Sequence, residues 1–303
     1  MFYEGLLVLS EAVLSAYPLL IKLTDTSIYF QTGLRMIIYT VLAVLAAQAT
    51  GSPLAAATLF SSETIATGLM NLLHVVSSYT AFDHLAGGNA MALFYTYPVW
   101  NILGASILLK ESIPLTSLPW IGLALVGAIM LAQPSTTNWT MVGVVAALVA
   151  AITETGIYLW FRSSATEDAK KEAKKETKEG VDEDQPWTKM IQMYGSSGVF
   201  WLVGTVLASV LGLLAKNTFA ISGQGLAGIV LFNSLIGFVG YAMRFYIVPK
   251  VSTVAFSALS FVGIIAAYGL SWAFANEVPT WIQALGAAAI IVANTVLVSK
   301  ETV

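Results

Sequence analysis

The sequence predicts an all-α membrane protein with ten transmembrane helices in two inverted five-helix repeats. Three observations predict it: too little charge for a water-covered surface, ten apolar runs of spanning length, and a one-sided distribution of lysine and arginine. Of 303 residues, 57% are hydrophobic and 10% charged, whereas a soluble domain carries about a quarter charged residues. Lipid must therefore cover the surface. The net charge of −3 is small. No basic tract is interleaved with aromatic residues, which argues against nucleic acid as a partner. The chain has no cysteine, which excludes disulfides, thiolate metal sites and cysteine nucleophiles. A cleavable signal peptide is not expected, because Met1 to Lys22 lacks a basic start and Glu11 interrupts its apolar run.

A spanning helix needs about 20 mostly apolar residues. The candidate spans are 3–22, 28–49, 64–84, 88–109, 116–133, 141–161, 189–214, 225–248, 251–274 and 280–299. Gly and Pro punctuate the connections, as at Gly51-Ser52-Pro53 and Pro114. Pro18 and Pro98 fall inside spans, which membrane helices tolerate when neighbours satisfy the freed backbone. The stretch 163–187 differs. It carries Lys170, Lys171, Lys174, Lys175 and Lys178 among many acids, cannot bury a core, and reads as a charged cytoplasmic loop with local Glu–Lys helical pairing. It could also serve as a docking tail.

With the N-terminus inside, the cytoplasmic side collects eleven cations, including Lys110, Arg162, Lys189, Arg244, Lys250 and Lys300. The other side keeps three: Lys22, Arg35 and Lys216. That bias orients both termini toward the cytoplasm. Asn138-Trp139-Thr140 fits a glycosylation sequon on the outer side, so close to the next span that it is expected to stay unused.

The first five-helix set occupies residues 1–137 and the second 138–303, the latter containing the charged loop. An odd number of helices per set inverts one half against the other. Residues 79–114 lie on 244–279 without a gap at a shift of 165, pairing Ala90 with Ala255, Gly104 with Gly269, Ser106 with Ser271 and Pro114 with Pro279. Such internal pairing suggests inverted repeats, a recurrent transporter architecture.

The run GGNAMALFYTYPVWNILGASILLKESIPLTSLPWIGLALVGAIMLA (87–132) resembles the helix 4–helix 5 hairpin of EamA-type transporters in the drug/metabolite transporter superfamily. Small residues are followed by Tyr97-Pro98, then Glu111 and Pro114, then a Gly-rich helix. The run 251–297 resembles the same hairpin in the second half, with Glu277 and Pro279, but has Gly263 where the family often has proline. Arg35 in helix 2 also fits the family pattern. The resemblance implies a ten-helix bundle with a central cavity lined by helices 1–4 and 6–9. Substrates across the superfamily include amino acids, nucleotide-sugars and sugar phosphates.

Ionisable side chains inside spans are costly and are functional candidates by default. Glu11 and Glu154 could carry a proton or pair with a substrate amine, or else be carboxyls satisfied by neighbouring helices. His74 could couple proton movement, or be a satisfied core histidine. Arg35 is expected to snorkel to a headgroup or hold a structural ion pair. Arg244, one turn after Tyr241, would suit an anionic substrate, or would snorkel. Tyr97 and Asn101 share a helix face beside Pro98 and form the preferred substrate-lining stretch. Tyr95 and Tyr97 are expected to point to different faces. Tyr79, Ser260 and Asn233 add polar groups, and Trp100 and Phe94 could stack on a ring.

No Walker A motif, metal-binding histidine spacing or Gly-x-Ser-x-Gly occurs, and no cofactor is expected. The expected function is secondary transport, by exporter or exchanger, of a small polar organic metabolite. The rivals are an intramembrane lipid-modifying enzyme, for which Asp83-His84 is the one candidate pair, and a non-transporting scaffold. Expected partners are a small-molecule solute and membrane lipids. Ala284 and Ala288 would allow two copies to pack as a homodimer.

Overall fold

A computed structural model of the chain describes residues 2–24, 26–51, 61–85, 87–132, 140–172, 186–275 and 280–301. Pro53, Asn138, Lys174, Lys175, Lys178, Glu277 and Pro279 lie outside the described residues. Every regular element among the described residues is helical: α1 (Phe2–Leu14), α2 (Tyr17–Leu23), α3 (Ile28–Ala49), α4 (Ser62–His84), α5 (Gly87–Phe94), α6 (Tyr97–Leu108), α7 (Leu118–Ala132), α8 (Met141–Glu172), α9 (Trp187–Val210), α10 (Gly223–Leu231), a π-turn (Phe232–Gly237), α11 (Phe238–Ile247), α12 (Thr253–Ser260), α13 (Val262–Ala275) and α14 (Trp281–Glu301), with a short 3₁₀ turn at Leu115–Ser117.

Local chemistry sets several ends. Ser27, Ser61, Ser222 and Ser252 each accept a hydrogen bond from a backbone N–H three residues on, at the starts of α3, α4, α10 and α12. Such a cap satisfies one of the donors a helix start leaves unpaired. Gly51 and Gly212 adopt positive φ just past α3 and α9, the left-handed turn a glycine permits at no steric cost.

Seven helical stretches are long and apolar enough to cross a membrane: Ile28–Ala49, Asn89–Leu108, Met141–Ser163, Trp187–Val210, Gly223–Ile247, Thr253–Phe274 and Trp281–Ser299. The sequence reading counts three more. Those three are the stretch split between α1 and α2, the polar-rich α4, and the short α7. The charged segment begins as helix, since α8 runs on to Glu172, and Ala, Glu and Lys are strong helix formers.

The molecule is apolar outside and holds a polar cluster within its otherwise apolar core. Ile37, Val41 and Leu45 form an exposed stripe along α3, as do Leu69, Leu73 and Val76 on α4 and Leu202, Val203 and Val206 on α9. Exposed stripes of this kind suit lipid contact, and the chain reads as a multi-pass membrane protein. Glu11, Arg35, His74, Glu154 and Arg244 are all buried. In the packing, α1 lies against α11, α12 and α13, whereas α8 lies against α4, α5 and α6. The pairs α3–α9, α7–α14 and α6–α12 also pack. The approach of α7 to α14 depends on glycine. A Cβ on Gly127 would stand 2.6 Å from the Gly286 carbonyl, and one on Gly286 would stand 2.6 Å from that of Gly127. Ala284 and Ala288 lie on the exposed side of α14.

Candidate functional site

Broken helices build the site. Proline has no N–H to donate to the carbonyl four residues back. The chain breaks just before Tyr17-Pro18 and before Tyr97-Pro98, and each proline sits in the first turn of the following helix. A third break, at Phe261, separates α12 from α13 without any proline. The helices after the second and third breaks start at Tyr97 and Val262, and so preserve the shift of 165 found in the sequence. The π-turn at Phe232–Gly237 is the fourth irregularity. These interruptions let side chains from α1, α4, the α5–α6 break, α8, α11 and α12 converge.

Two carboxylates share one arginine. Arg244 Nη1 lies 2.9 Å from Glu11 Oε1, and Nη2 lies 2.8 Å from Glu154 Oε1. Ser260 donates to Glu11 over 3.4 Å, Tyr97 over 3.4 Å and Tyr95 over 3.5 Å. The chain of polar groups continues through Glu154. Its Oε2 is 3.3 Å from His74 Nε2. His74 Nδ1 is 3.2 Å from the Ala150 carbonyl. Glu11, Arg244, Glu154 and His74 thus form one connected, buried ionisable cluster.

Arg35 stands apart from this cluster. It is 2% exposed. Its guanidinium carbon lies 4.8 Å from the ring centres of Tyr17 and Tyr241, 5.2 Å from Tyr39 and 5.8 Å from Tyr79. Among the described residues it makes no ion pair, and its Nε and Nη2 have no hydrogen-bond partner. Cation–π contacts return about 2 kcal/mol when desolvated, against several kcal/mol for burying an ion. The cage itself is tied together: Tyr17 and Tyr39 join through their hydroxyls, and Tyr17 also donates to Asn233 Oδ1 over 3.2 Å. The π-turn admits the cage, since a Cβ on Gly237 would collide with the hydroxyls of Tyr17 and Tyr39.

A cavity of about 30 Å³ lies between these two groups, lined on one side by Arg35, Tyr17 and Tyr79 and on the other by Glu11, Arg244 and His74. That volume holds water-sized molecules. Hydrogen bonds also tie the helices together on two sides of the bundle. On one side Arg162 pairs with Glu111 at 2.8 Å and donates to the carbonyls of Val248 and Val251, and Thr253 donates to Glu111 over 2.7 Å. On the other, Thr26 donates to the Ala220 carbonyl over 2.8 Å and Trp201 to that of Tyr29 over 2.9 Å.

The structure brings together Glu11, His74, Glu154, Tyr97, Arg244 and Ser260, and places Tyr79 and Tyr241 on the cavity wall beside Arg35. It does not bring Asn101. That side chain is fully buried on α6, outside the cavity lining, with both amide atoms unpartnered. The expectation that Arg35 snorkels or ion-pairs is corrected, because it does neither among the described residues. Arg244 does not snorkel either, and its guanidinium is committed to two carboxylates. Tyr95 and Tyr97 do not diverge, because the break between them removes the helical phase on which that expectation rested. Trp100 faces outward and half exposed, while Phe94 lines the cavity. Asp83 and His84 pair at 3.5 Å on the exposed end of α4. No group of three or more metal-ligating side chains occurs among the described residues.

Gly263, the departure from the proline pattern, has a local reason. A Cβ there would overlap the Tyr95 hydroxyl, so glycine lets that hydroxyl reach Glu11. Gly263→Ala is expected to lower stability by about 1–3 kcal/mol through overpacking. Thermal unfolding of the purified protein should show the loss, with Tyr95→Leu in the same chain recovering most of it.

No protein-family model matches this sequence, and neither does any curated protein. The fold has relatives among solved structures. Of 28 matching chains, one described only as a crystal structure of a protein superposes with a TM-score of 0.72, covering 98% of this chain and 97% of its own at 14% identity. At that identity the likeness establishes a shared fold over the whole chain.

Proposed function

We propose that the protein is a secondary transporter, working as an exporter or exchanger of a small polar organic metabolite by alternating access. The observation that carries this reading is a cavity inside a bundle with an apolar exterior, lined by the buried ionisable side chains Glu11, Arg35, His74 and Arg244 from both halves of the chain. A scaffold has no reason to bear the cost of burying such groups. The exposed Asp83-His84 pair lacks the enclosure a lipid-modifying site would need.

The architecture proposed is ten spans in two inverted repeats, 1–137 and 138–303, with both termini cytoplasmic. Three features support it. The helices after the two breaks start 165 residues apart. The packing of α1 on α11, α12 and α13 mirrors that of α8 on α4, α5 and α6. The pairs α3–α9 and α7–α14 lie where a two-fold relation would put equivalent helices. Solute would bind between the repeats, and the halves would rock to break the hydrogen bonds at one end and then the other.

The test is reconstitution into liposomes with uptake of radiolabelled amino acids, sugar phosphates and nucleotide-sugars, with and without the same solute inside. Saturable uptake accelerated by internal solute supports exchange. Absence of flux for every class sinks the reading. The closure at Arg162 gives a second test. The chain has no cysteine, so Ser257→Cys, between Thr253 and Ser260 on α12, supplies a single reporter. Adding Glu111→Gln is expected to raise its labelling by a membrane-impermeant maleimide several-fold, since a neutral amide holds Arg162 less tightly. Unchanged labelling would remove the closure role.

A further inference from the structure

We infer that Arg35 and its tyrosine cage form an anion subsite, which takes the carboxylate or phosphate group of the transported solute. The inference rests on the transport reading for its biological sense and on separate observations for its chemistry. Glu11, Arg244, Glu154 and His74 pair among themselves. Arg35 is then the one buried cation near the cavity without a carboxylate partner among the described residues. Its two unpartnered donors, Nε and Nη2, lie on one edge of the guanidinium and point in parallel. That edge matches the two oxygens of a carboxylate or phosphate. Four tyrosine rings contact the guanidinium, which partly offsets its charge while leaving those two donors unused. The Tyr79 hydroxyl also lacks a partner and lines the same cavity as Arg35. It supplies a third donor for an anion in that space.

Arg244 is the alternative anion receptor in the cavity wall, and its guanidinium is ion-paired with two carboxylates, Glu11 and Glu154, although Nη2 makes no hydrogen bond. An anion there would face two carboxylates. At Arg35 it meets tyrosine hydroxyls instead, and it neutralises the buried positive charge.

The experiment is thermal unfolding of the purified full chain in detergent, titrated with succinate, glycerol phosphate and inorganic phosphate, beside uncharged succinamide and glycerol. A ligand that binds the folded state raises the midpoint by mass action. Succinate or glycerol phosphate is expected to raise it and the uncharged partners to leave it unmoved. Arg35→Met should abolish the shift, and Arg35→Lys, which keeps the charge and loses the fork, should weaken it at least about tenfold. Asp83→Asn, on the exposed end of α4, should retain it. An equal, Arg35-dependent shift from inorganic phosphate assigns the site to a free anion and keeps the subsite. A shift that survives Arg35→Met overturns the inference. So does stabilisation by uncharged solutes alone, which would leave the transport reading standing.

A structural arginine and an anion-binding one also differ without ligand. Arg35→Met removes an uncompensated buried charge, so the unliganded variant is expected to melt at or above the wild-type temperature. A clear drop would mark Arg35 as a structural element and overturn the assignment.

Discussion

Replacing Arg244 with methionine is expected to cost the folded state about 3–5 kcal/mol, the usual penalty for removing one partner of a buried ion pair. Two carboxylates depend on this guanidinium, at 2.9 and 2.8 Å. Without it Glu11 and Glu154 face each other's charge in a low-dielectric interior, and each must take a proton or draw in water. Denaturant or thermal unfolding in detergent measures the loss. The control is the triple variant Glu11→Gln, Arg244→Met, Glu154→Gln, which removes all three charges and should recover most of the stability. A triple variant no more stable than Arg244→Met would show that packing, rather than charge, sets the cost. The contrast with Arg35→Met is the sharper statement. Two arginines buried to the same degree should respond in opposite directions, because one is compensated and the other is not.

Glu11→Gln is expected to reduce the initial rate of transport roughly ten- to a hundred-fold while leaving most of the protein folded. The argument follows from its position. Glu11 accepts from Tyr95 and Tyr97 of the first half and from Arg244 and Ser260 of the second. In the proposed transport cycle, rocking the halves exchanges these partners. Hydrogen bonds to a charged group are worth about 1.5–3 kcal/mol each, and the amide keeps the shape but weakens every one of them. Folding suffers less, because Arg244 keeps Glu154. Initial rates in liposomes, at matched amounts of reconstituted protein, give the answer. A wild-type rate in Glu11→Gln would remove Glu11 from the transport cycle and leave it a packing residue.

Much of this architecture is legible without coordinates. Hydrophobic runs and sparse charge announce membrane helices because lipid offers the backbone no hydrogen bonds, so each apolar run must satisfy its own. Serine before a run marks a helix start for a similarly local reason. The cost of burying charge singles out Glu11, His74, Glu154, Arg35 and Arg244 before any fold is known. What these residues do with one another was not legible. Glu11 and Arg244 are 233 positions apart, and only the packing of α1 on α11 decides that they pair. Sequence periodicity misdirects at Tyr95 and Tyr97 because it assumes an unbroken helix. Asn101 shows the converse, since sharing a face with Tyr97 does not carry it to the cavity. Which arginine is free depends on counting partners across five elements, a sum over tertiary contacts. Composition and local pattern determined that this chain is a bundle of membrane helices with charges inside. The tertiary structure decided which charges pair and which one has no carboxylate partner among the described residues, because electrostatic compensation acts over a few ångströms of space and takes no account of distance along the chain.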